Sequence, residues 1–184
     1  MRVERLDPPG LLLVHAVVHR DERGSFQETW SRRRYMEAGL PDFVQDNLVY
    51  SKRGVLRGLH YQEPREQGKL VTVVAGEVFD VAADIRVGSP TFGKWTGLPL
   101  SGDRGVALYV PPGFAHGYAV LSETAVVSYK CTDYYEPTTE NCVLWSDPTL
   151  GIDWPISDPM VSARDGAARP LSGIPPDRLP VYGE

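Results

Sequence analysis

The clearest structural signal in the chain is the stretch KLVTVVAGEVFDVAADIR, residues 69–86. Two runs dominated by Val and other apolar residues flank Ala75-Gly76-Glu77, a combination typical of a tight turn between two β-strands. Successive side chains of a strand point to opposite faces, so Asp80 and Asp84 share one face with apolar neighbours. If that face is buried, each carboxylate needs a hydrogen-bonding partner or lines a functional site. The sequence leaves both interpretations open.

Similar short runs, separated by Gly, Pro, Asp and Asn, continue on both sides of this hairpin. We interpret as strands residues 11–18, 45–50, 55–62, 69–74, 77–86, 95–100, 107–110, 116–120, 125–132 and 143–145. Their spacing of roughly ten residues favours a β-sandwich or barrel, and no intervening segment has room for the crossover helices of a parallel sheet. One helix is predicted over Ser31–Ala38, with Ser31 as the N-cap and Gly39 as the stop. Short helical turns are expected in the Pro- and Gly-rich C-terminal coil.

Composition and charge limit the possible functions. The chain has 184 residues, of which 42% are hydrophobic and 23% charged, and we interpret residues 1–184 as a single domain. A net charge of −5 argues against nucleic-acid binding, although a local basic cluster could still hold an anionic small molecule. The chain has neither a membrane-length apolar run nor a signal-peptide pattern. Cys131 and Cys142 fit no metal or redox spacing, so we predict buried free thiols and a cytoplasmic location.

Polar residues are concentrated in five otherwise apolar or irregular stretches. These are GVLRGLHYQ (54–62), QGKLV (67–71), PPGFAHGY (111–118), SYKCTDYYEP (128–137) and SARD (162–165). Taken singly, His60 is typical of a core histidine, Lys69 of a strand-end lysine and Tyr129 of a core or edge aromatic residue. The residues alone therefore do not define a site.

The spacing of Arg57 and His60 raises a structural question. Residues three apart on a regular strand point to opposite faces. If both side chains line one cavity, Gly58 must mark a β-bulge or twist, which is what we predict. The alternative is that Arg57 reaches a neighbouring subunit.

Together, the five stretches resemble the dTDP-4-dehydrorhamnose 3,5-epimerase family. Other matching motifs are DERGSFQETW (21–30), QDN (45–47), GEVFDVAADIR (76–86), GSPTFGKW (88–95) and DPTLGIDWP (147–155). The resemblance implies an all-β, cupin-type jelly-roll barrel that works as a homodimer without a redox cofactor or metal. Metal-binding cupins usually carry two histidines one residue apart, whereas Gln62 stands two positions after His60.

The resemblance also implies a substrate, dTDP-4-dehydro-6-deoxy-D-glucose, whose C4 ketone acidifies the hydrogens at C3 and C5. His60 would be the general base, oriented by Asp165. Lys69 would stabilise the enolate, and Tyr129 would deliver a proton from the opposite face. We expect the Tyr129 phenol to be a better acid near a cation.

The remaining implied residues bind the nucleotide sugar. Arginines suit the diphosphate because the guanidinium group can donate two parallel hydrogen bonds. The implied diphosphate ligands are Arg23, Arg57 and Arg164. The implied contacts to thymidine or sugar are Glu28, Gln45, Asp46 and Asn47, with His116 and Glu140 as further binding residues and Tyr135 stacking on the base.

Two other functions remain open at this point. The same residues could serve an enzyme that inverts only C3 or only C5, or a non-catalytic cupin that binds a nucleotide sugar. The sequence departs from the family pattern at Ser25, Gln27 and Leu48-Val49. These departures bear on the identity of the sugar more than on the type of reaction.

Overall fold

The computed structural model describes residues 1–183, in which thirteen β-strands account for most of the regular structure. The strands are β1 (Arg2–Arg5), β2 (Leu12–His15), β3 (Val18–Asp21), β4 (Gly24–Gln27), β5 (Gln45–Lys52), β6 (Leu56–Gln62), β7 (Lys69–Ala75), β8 (Glu77–Asp84), β9 (Trp95–Ser101), β10 (Val106–Val110), β11 (Phe114–Val120), β12 (Thr124–Cys131) and β13 (Glu140–Cys142). The helical elements are α1 (Arg32–Glu37), α2 (Ala163–Gly166) and two 3₁₀ turns at Leu171–Gly173 and Pro176–Arg178.

Two antiparallel sheets form a β-sandwich of the cupin type. The six-stranded sheet has the order β1-β2-β10-β7-β12-β5, and the five-stranded sheet has the order β13-β6-β11-β8-β9. Strands β3 and β4 pair only with each other within the described residues and form a separate hairpin. The all-β prediction is confirmed.

Burial follows the alternation of the strands. Val78 and Ala82 of β8 belong to the core between the two sheets, whereas Val81 and Ala83 belong to a second cluster on the outer face of the five-stranded sheet. The C-terminal segment supplies Leu150, Leu171 and Leu179 to that outer cluster, so it covers the sheet as an irregular layer. A third cluster, centred on Tyr35, packs α1 against the six-stranded sheet.

The two buried carboxylates of β8 both have partners. Asp84 accepts hydrogen bonds from Arg86 Nε at 2.9 Å, Ser89 Oγ at 2.6 Å and Thr91 Oγ1 at 2.6 Å. These bonds lower its pKa, although burial alone would raise it. Asp80 lies 2.9 Å from His116 Nε2. Both carboxylates therefore have hydrogen-bonding partners, which is the first of the two interpretations given above. The partner of Asp80, His116, is itself one of the predicted binding residues.

Three sequence predictions need correction or adjustment. The run 11–18 is not one strand, because β2 ends at His15 and the chain leaves the six-stranded sheet to begin β3 at Val18. Residues 143–145 are not a strand, and Val143 forms one isolated bridge with Arg169. The strand there is β13, whose polar sequence ENC gives no strand signal. Ser31 does occupy the N-cap position of α1, but its side chain makes no capping hydrogen bond.

Two further predictions concern the cysteines and the membrane. Both cysteines are free, with Cys131 buried and Cys142 partly buried. Over residues 1–183, none of the helices has the length and apolar character needed to cross a bilayer.

The predicted irregularity at Gly58 is present. In the pairing of β6 with β11, His60 is opposite His116 and Arg57 is opposite Tyr118, so two residues of β6 face Gly117 alone. Gly58 has φ +117, and a Cβ there would lie 2.6 Å from Gly117 Cα and 2.7 Å from His116 O. This bulge shifts the side-chain alternation by one residue. It allows Arg57 and His60 to face the same side of the strand.

Replacing Gly58 with Ala should therefore destabilise the fold. The positive φ alone costs about 1–3 kcal/mol of backbone strain, and the contact of the new Cβ with β11 should add to that loss. Urea unfolding of Gly58→Ala and of a matched control, Gly54→Ala, measures the difference. Gly54 also has positive φ, at +78, but an added Cβ would meet nothing within 4 Å. Equal losses in the two variants would show that the close approach of β6 and β11 contributes nothing.

Candidate active site

A cavity of about 300 Å³ opens between the two sheets. Its walls come from β6 and β11 of one sheet and from β5, β7 and β12 of the other, with the segment around β13 at the rim. The lining residues are Gln45, Asn47, Val49, Arg57, His60, Gln67, Lys69, His116, Gly117, Tyr118, Tyr129, Tyr135 and Glu140. A volume of this size suits a small organic ligand.

His60 is hydrogen-bonded to Asp165 on the first wall. His60 Nε2 lies 2.7 Å from Asp165 Oδ1, and the His60 side chain is 28% exposed whereas that of Asp165 is 4% exposed. Asp165 is held by α2, where Ser162 Oγ accepts a hydrogen bond from Asp165 N–H at 3.0 Å. With Nε2 committed to the carboxylate, Nδ1 is the ring nitrogen left to accept a proton.

The surroundings of Asp165 keep it ionised. Burial would raise the pKa of this carboxyl group, but hydrogen bonds from His60 and Ser162 and from the N–H of Gly58 lower it below its ordinary value. An ionised carboxylate orients the imidazole and stabilises the imidazolium that forms when Nδ1 takes a proton. The pairing expected from the resemblance is therefore present in the structure.

Lys69 projects from the opposite sheet, at the start of β7. The ion pairs among residues 1–183 do not include the Lys69 amine. Burial lowers its pKa, partly opposed by the electrostatic influence of Cys131, Glu140 and Asp80. A desolvated cation facing a cavity stabilises negative charge that develops nearby.

Tyr129 lies on β12, beside β7 and on the same wall as Lys69. In the register of the two strands, Cys131 is opposite Lys69 and Tyr129 is opposite Val71. Burial raises the pKa of Tyr129 to about 12. The expectation that a nearby cation makes this phenol a stronger acid is therefore wrong, because desolvation raises the pKa by more than the charge of Arg57 lowers it. The high pKa keeps the phenol protonated and available as a donor.

Several predicted binding residues line the same cavity. Arg57 reaches it through the bulge, and its Nε donates to Ser51 Oγ at 3.1 Å. His116 lies opposite His60 in the strand register and is fixed by Asp80, with Nε2–O distances of 2.9 and 3.1 Å. The cavity therefore carries a cationic arginine and a buried histidine on the wall that holds His60.

The rim of the cavity is organised by hydrogen bonds among four predicted binding residues. Tyr135 Oη donates to Glu140 Oε2 at 2.9 Å, and its backbone N–H donates to Gln45 Oε1 at 2.8 Å. Gln45 Nε2 in turn donates to Asn47 Oδ1 at 3.1 Å. Arg164 forms an ion pair with Glu140 just outside the lining residues. These bonds fix the position of the aromatic ring of Tyr135, which stays 47% exposed.

Three predicted binding residues lie away from the cavity. Asp46 points outward between the inward-facing Gln45 and Asn47, because alternate residues of β5 face opposite sides, and it binds Lys130 Nζ at 2.8 Å. Arg23 sits at the tip of the β3–β4 hairpin and pairs with Asp21 at 2.5 Å. Glu28 follows β4 and pairs with Arg34 of α1.

The structure adds residues that the sequence reasoning did not select. Gln67, Val49 and Tyr118 line the cavity, and Cys142 of β13 places its Sγ 3.7 Å from Asp165 Oδ1. Gln67 and Tyr118 belong to quoted motifs, QGKLV and PPGFAHGY, so the motif context was a usable signal. No sequence signal placed Cys142 next to Asp165, because that contact depends on the C-terminal segment folding back over β6.

A histidine backed by a carboxylate, facing a lysine and a tyrosine across a cupin cavity, can remove and return protons at carbon next to a carbonyl group. Removal and return of a proton at carbon is the chemistry of an epimerase.

Comparison with known proteins identifies the family. Residues 5–173 match the family described as dTDP-4-dehydrorhamnose 3,5-epimerase. An enzyme of that name from Pseudomonas aeruginosa is 51% identical over 168 residues, which cover 90% of this chain and 93% of the relative. The chain belongs to the dTDP-4-dehydrorhamnose 3,5-epimerase family.

Two of the solved structures to which this chain is similar come from enzymes with different activities. The dTDP-6-deoxy-D-glucose-3,5-epimerase of Legionella pneumophila, in complex with dTDP-4-keto-L-rhamnose, matches with a TM-score of 0.96 and 48% identity over 100% of this chain and 99% of that one. ChmJ, a 3'-monoepimerase from Streptomyces bikiniensis in complex with dTDP-quinovose, gives a TM-score of 0.90 and 36% identity, covering 97% and 92% of the two chains.

Proposed function

We propose that the protein inverts C3 and C5 of dTDP-4-dehydro-6-deoxy-D-glucose to give dTDP-4-dehydro-L-rhamnose, as a cytoplasmic homodimer in dTDP-rhamnose biosynthesis. The observation that carries the proposal is the opposition of the His60–Asp165 pair on one wall to Lys69 and Tyr129 on the other. Inversion at carbon needs a proton removed from one face and another delivered to the opposite face. Groups on facing sheets meet that requirement.

The proposed reaction gives one step to each of these groups. His60 Nδ1 takes the proton from the carbon next to the ketone, and the electron pair moves into the C4 carbonyl to give an enolate. The Lys69 ammonium stabilises the enolate oxygen. Tyr129 then donates its phenolic proton to the opposite face of the carbon, and the enolate collapses back to the ketone. His60 returns its proton to solvent, and Tyr129 regains one.

The nucleotide portion binds at the open end of the cavity. Arg57 offers its guanidinium to the diphosphate, and Tyr135 offers an exposed aromatic face to the base. Gln45, Asn47 and Glu140 supply polar contacts at the rim.

Arg23 and Glu28 fit this proposal in a homodimer. Both belong to the β3–β4 hairpin region, which pairs with neither main sheet and exposes 69% of Phe26. We propose that the hairpin of one subunit closes the cavity of the other, where Arg23 adds a ligand for the diphosphate. A charged hydrogen bond of this kind contributes about 1.5 kcal/mol, so Arg23→Ala should raise KM about tenfold.

A subunit-mixing experiment tests whether this contact crosses the interface. In a heterodimer of one His60→Ala and one Arg23→Ala chain, a crossing hairpin leaves one site with an intact base and an intact Arg23. Random pairing of the two chains would then make about a quarter of all sites fully functional. If Arg23 acts within its own subunit, mixing restores no site, and the measured KM stays at the Arg23→Ala value.

The main alternative is inversion at one carbon only. The observation that favours it is the similarity of this chain to the monoepimerase ChmJ. The two activities differ in which C–H bonds exchange with solvent. Proton NMR of the product formed in D₂O should show deuterium at both C3 and C5. Deuterium confined to one carbon would establish a monoepimerase, and a complete lack of exchange in the unmodified protein would establish a non-catalytic binding protein.

A further inference from the structure

We propose that Cys142, His60 and Asp165 form an inhibitory binding site for a thiophilic divalent cation, with Zn²⁺ as the representative ion. Cys142 of β13 is the register partner of His60 on β6, which brings the two side chains to the same part of the sheet. One donor atom from each of Cys142, His60 and Asp165 lies within 4.8 Å of the other two. The cluster combines three different ligand types from three separate parts of the chain.

The chemistry of the donors selects the ion. A thiolate, an imidazole and a carboxylate are all common ligands of Zn²⁺, whereas Mg²⁺ and Ca²⁺ prefer sets made of oxygen. Cd²⁺ shares the preference for sulfur and serves as a spectroscopic probe.

The distances also suit a tetrahedral ion. His60 Nε2 lies 2.7 Å from Asp165 Oδ1, and Cys142 Sγ lies 3.7 Å from the same oxygen. Ligand bonds of about 2.0–2.3 Å around zinc put neighbouring donors about 3–4 Å apart, so the ion can enter with small side-chain movements. His60 lines the cavity, which supplies an entry path and leaves the fourth coordination position to water.

Binding at Nε2 blocks the base for a specific reason. The ion displaces the Cys142 thiol proton to solvent and forms a metal–sulfur bond. A neutral imidazole has one N–H, so coordination of Nε2 moves that hydrogen to Nδ1. Nδ1 then has no lone pair with which to accept a proton from the substrate carbon. The inhibition therefore rests on the proposed role of His60, whereas the binding of the ion does not.

Cys142 is suited to this role because it takes no part in the proposed reaction. Its Sγ lies 3.4 Å from Val143 O and 3.7 Å from Asp165 Oδ1, and burial together with the charge of Asp165 raises its pKa to about 12. A thiol in this state is a poor nucleophile. It becomes a strong ligand only when a metal ion replaces its proton.

The test uses the whole protein, stripped of metal with a chelator, and compares the unmodified chain with Cys142→Ala, Cys142→Ser and Cys131→Ala. Zn²⁺ binding is followed by calorimetry, and Cd²⁺ binding by the sulfur-to-metal charge-transfer absorption. The exchange of the sugar C–H hydrogens with solvent is measured with and without Zn²⁺. The rate of each variant is compared with the rate of the same variant without metal. Cys131 serves as the matched control because it is the other free thiol and lies outside the cluster.

We expect Zn²⁺ to stop exchange in the unmodified chain and in Cys131→Ala, with recovery on adding chelator. Both Cys142 variants should bind Zn²⁺ at least about tenfold more weakly, and both should lose the Cd²⁺–sulfur absorption because neither has a sulfur atom at position 142. Equal Zn²⁺ affinity in the Cys142 variants, or no measurable binding in the unmodified chain, would overturn the site. Cys142-dependent binding that leaves exchange unaffected would instead overturn the role of His60 as the base, and with it the inhibition.

Discussion

Replacing His60 with Ala should reduce kcat/KM by about 10²–10⁴-fold, because the reaction loses the group that takes the proton from carbon. Binding of dTDP should persist, since the residues proposed to hold the nucleotide lie elsewhere in the cavity. Solvent exchange measured by NMR gives the rate, and calorimetry gives the affinity. Loss of exchange with retained binding is the expected pair of results.

The matched control for this variant is His15→Ala. His15 lies on β2, two strands away from β7 in the six-stranded sheet, and is not among the residues that line the cavity. Its Nε2 is 3.3 Å from Glu4 Oε2. This change should leave the exchange rate near that of the unmodified protein. If His60→Ala keeps a tenth or more of the activity, the base is another group, and His116 with its Asp80 partner is the first candidate.

Replacing Lys69 with Met should lower kcat by about 10²–10³-fold, the usual effect of removing one donor that stabilises an oxyanion. Met retains much of the length and apolar volume of the lysine stem, so the change removes the charge with little loss of packing. Lys52→Met, on an exposed position at the end of β5, is the control for removal of a positive charge. An unchanged kcat in Lys69→Met would show that the enolate is stabilised by other groups.

The lowered pKa of Lys69 also gives an expectation for pH. Stabilisation of the enolate needs the protonated amine, so kcat/KM should fall as pH rises through the pKa of Lys69. Because burial lowers that pKa, the fall should begin at a lower pH than that at which lysine ordinarily titrates. The pH profile of Lys69→Met should lack this basic limb. A limb that persists in the variant belongs to another group.

Local sequence patterns predicted much of the fold, whereas the centre of the site was implied by the resemblance of the five polar stretches to the epimerase family. The alternation in β8 identified both of its faces, and the spacing of Arg57 and His60 predicted the bulge at Gly58. These predictions succeeded because they rest on the two-residue period of a strand, which tertiary packing preserved. The assignment of Asp46 to the site broke the same rule, since neighbours on β5 cannot both face the cavity.

Other features depend on contacts that local patterns do not encode. The β3–β4 hairpin leaves the sheet after a backbone hydrogen bond from Ala16 to Gly105, which is remote in sequence. The proximity of Cys142 to Asp165 requires the C-terminal segment to fold over β6. The raised pKa of Tyr129 reflects the degree of burial around its ring, which a motif does not specify.

The His60–Asp165 hydrogen bond joins residues 105 positions apart in the chain. Hairpins such as β7–β8 close short loops and can form early during folding, whereas a contact of this separation must wait for distant segments to meet. Asp165 reaches His60 only when the C-terminal layer docks on the five-stranded sheet. During refolding, the return of enzymatic activity should therefore lag behind the return of the β-sheet circular dichroism signal, and the lag measures the docking of that layer.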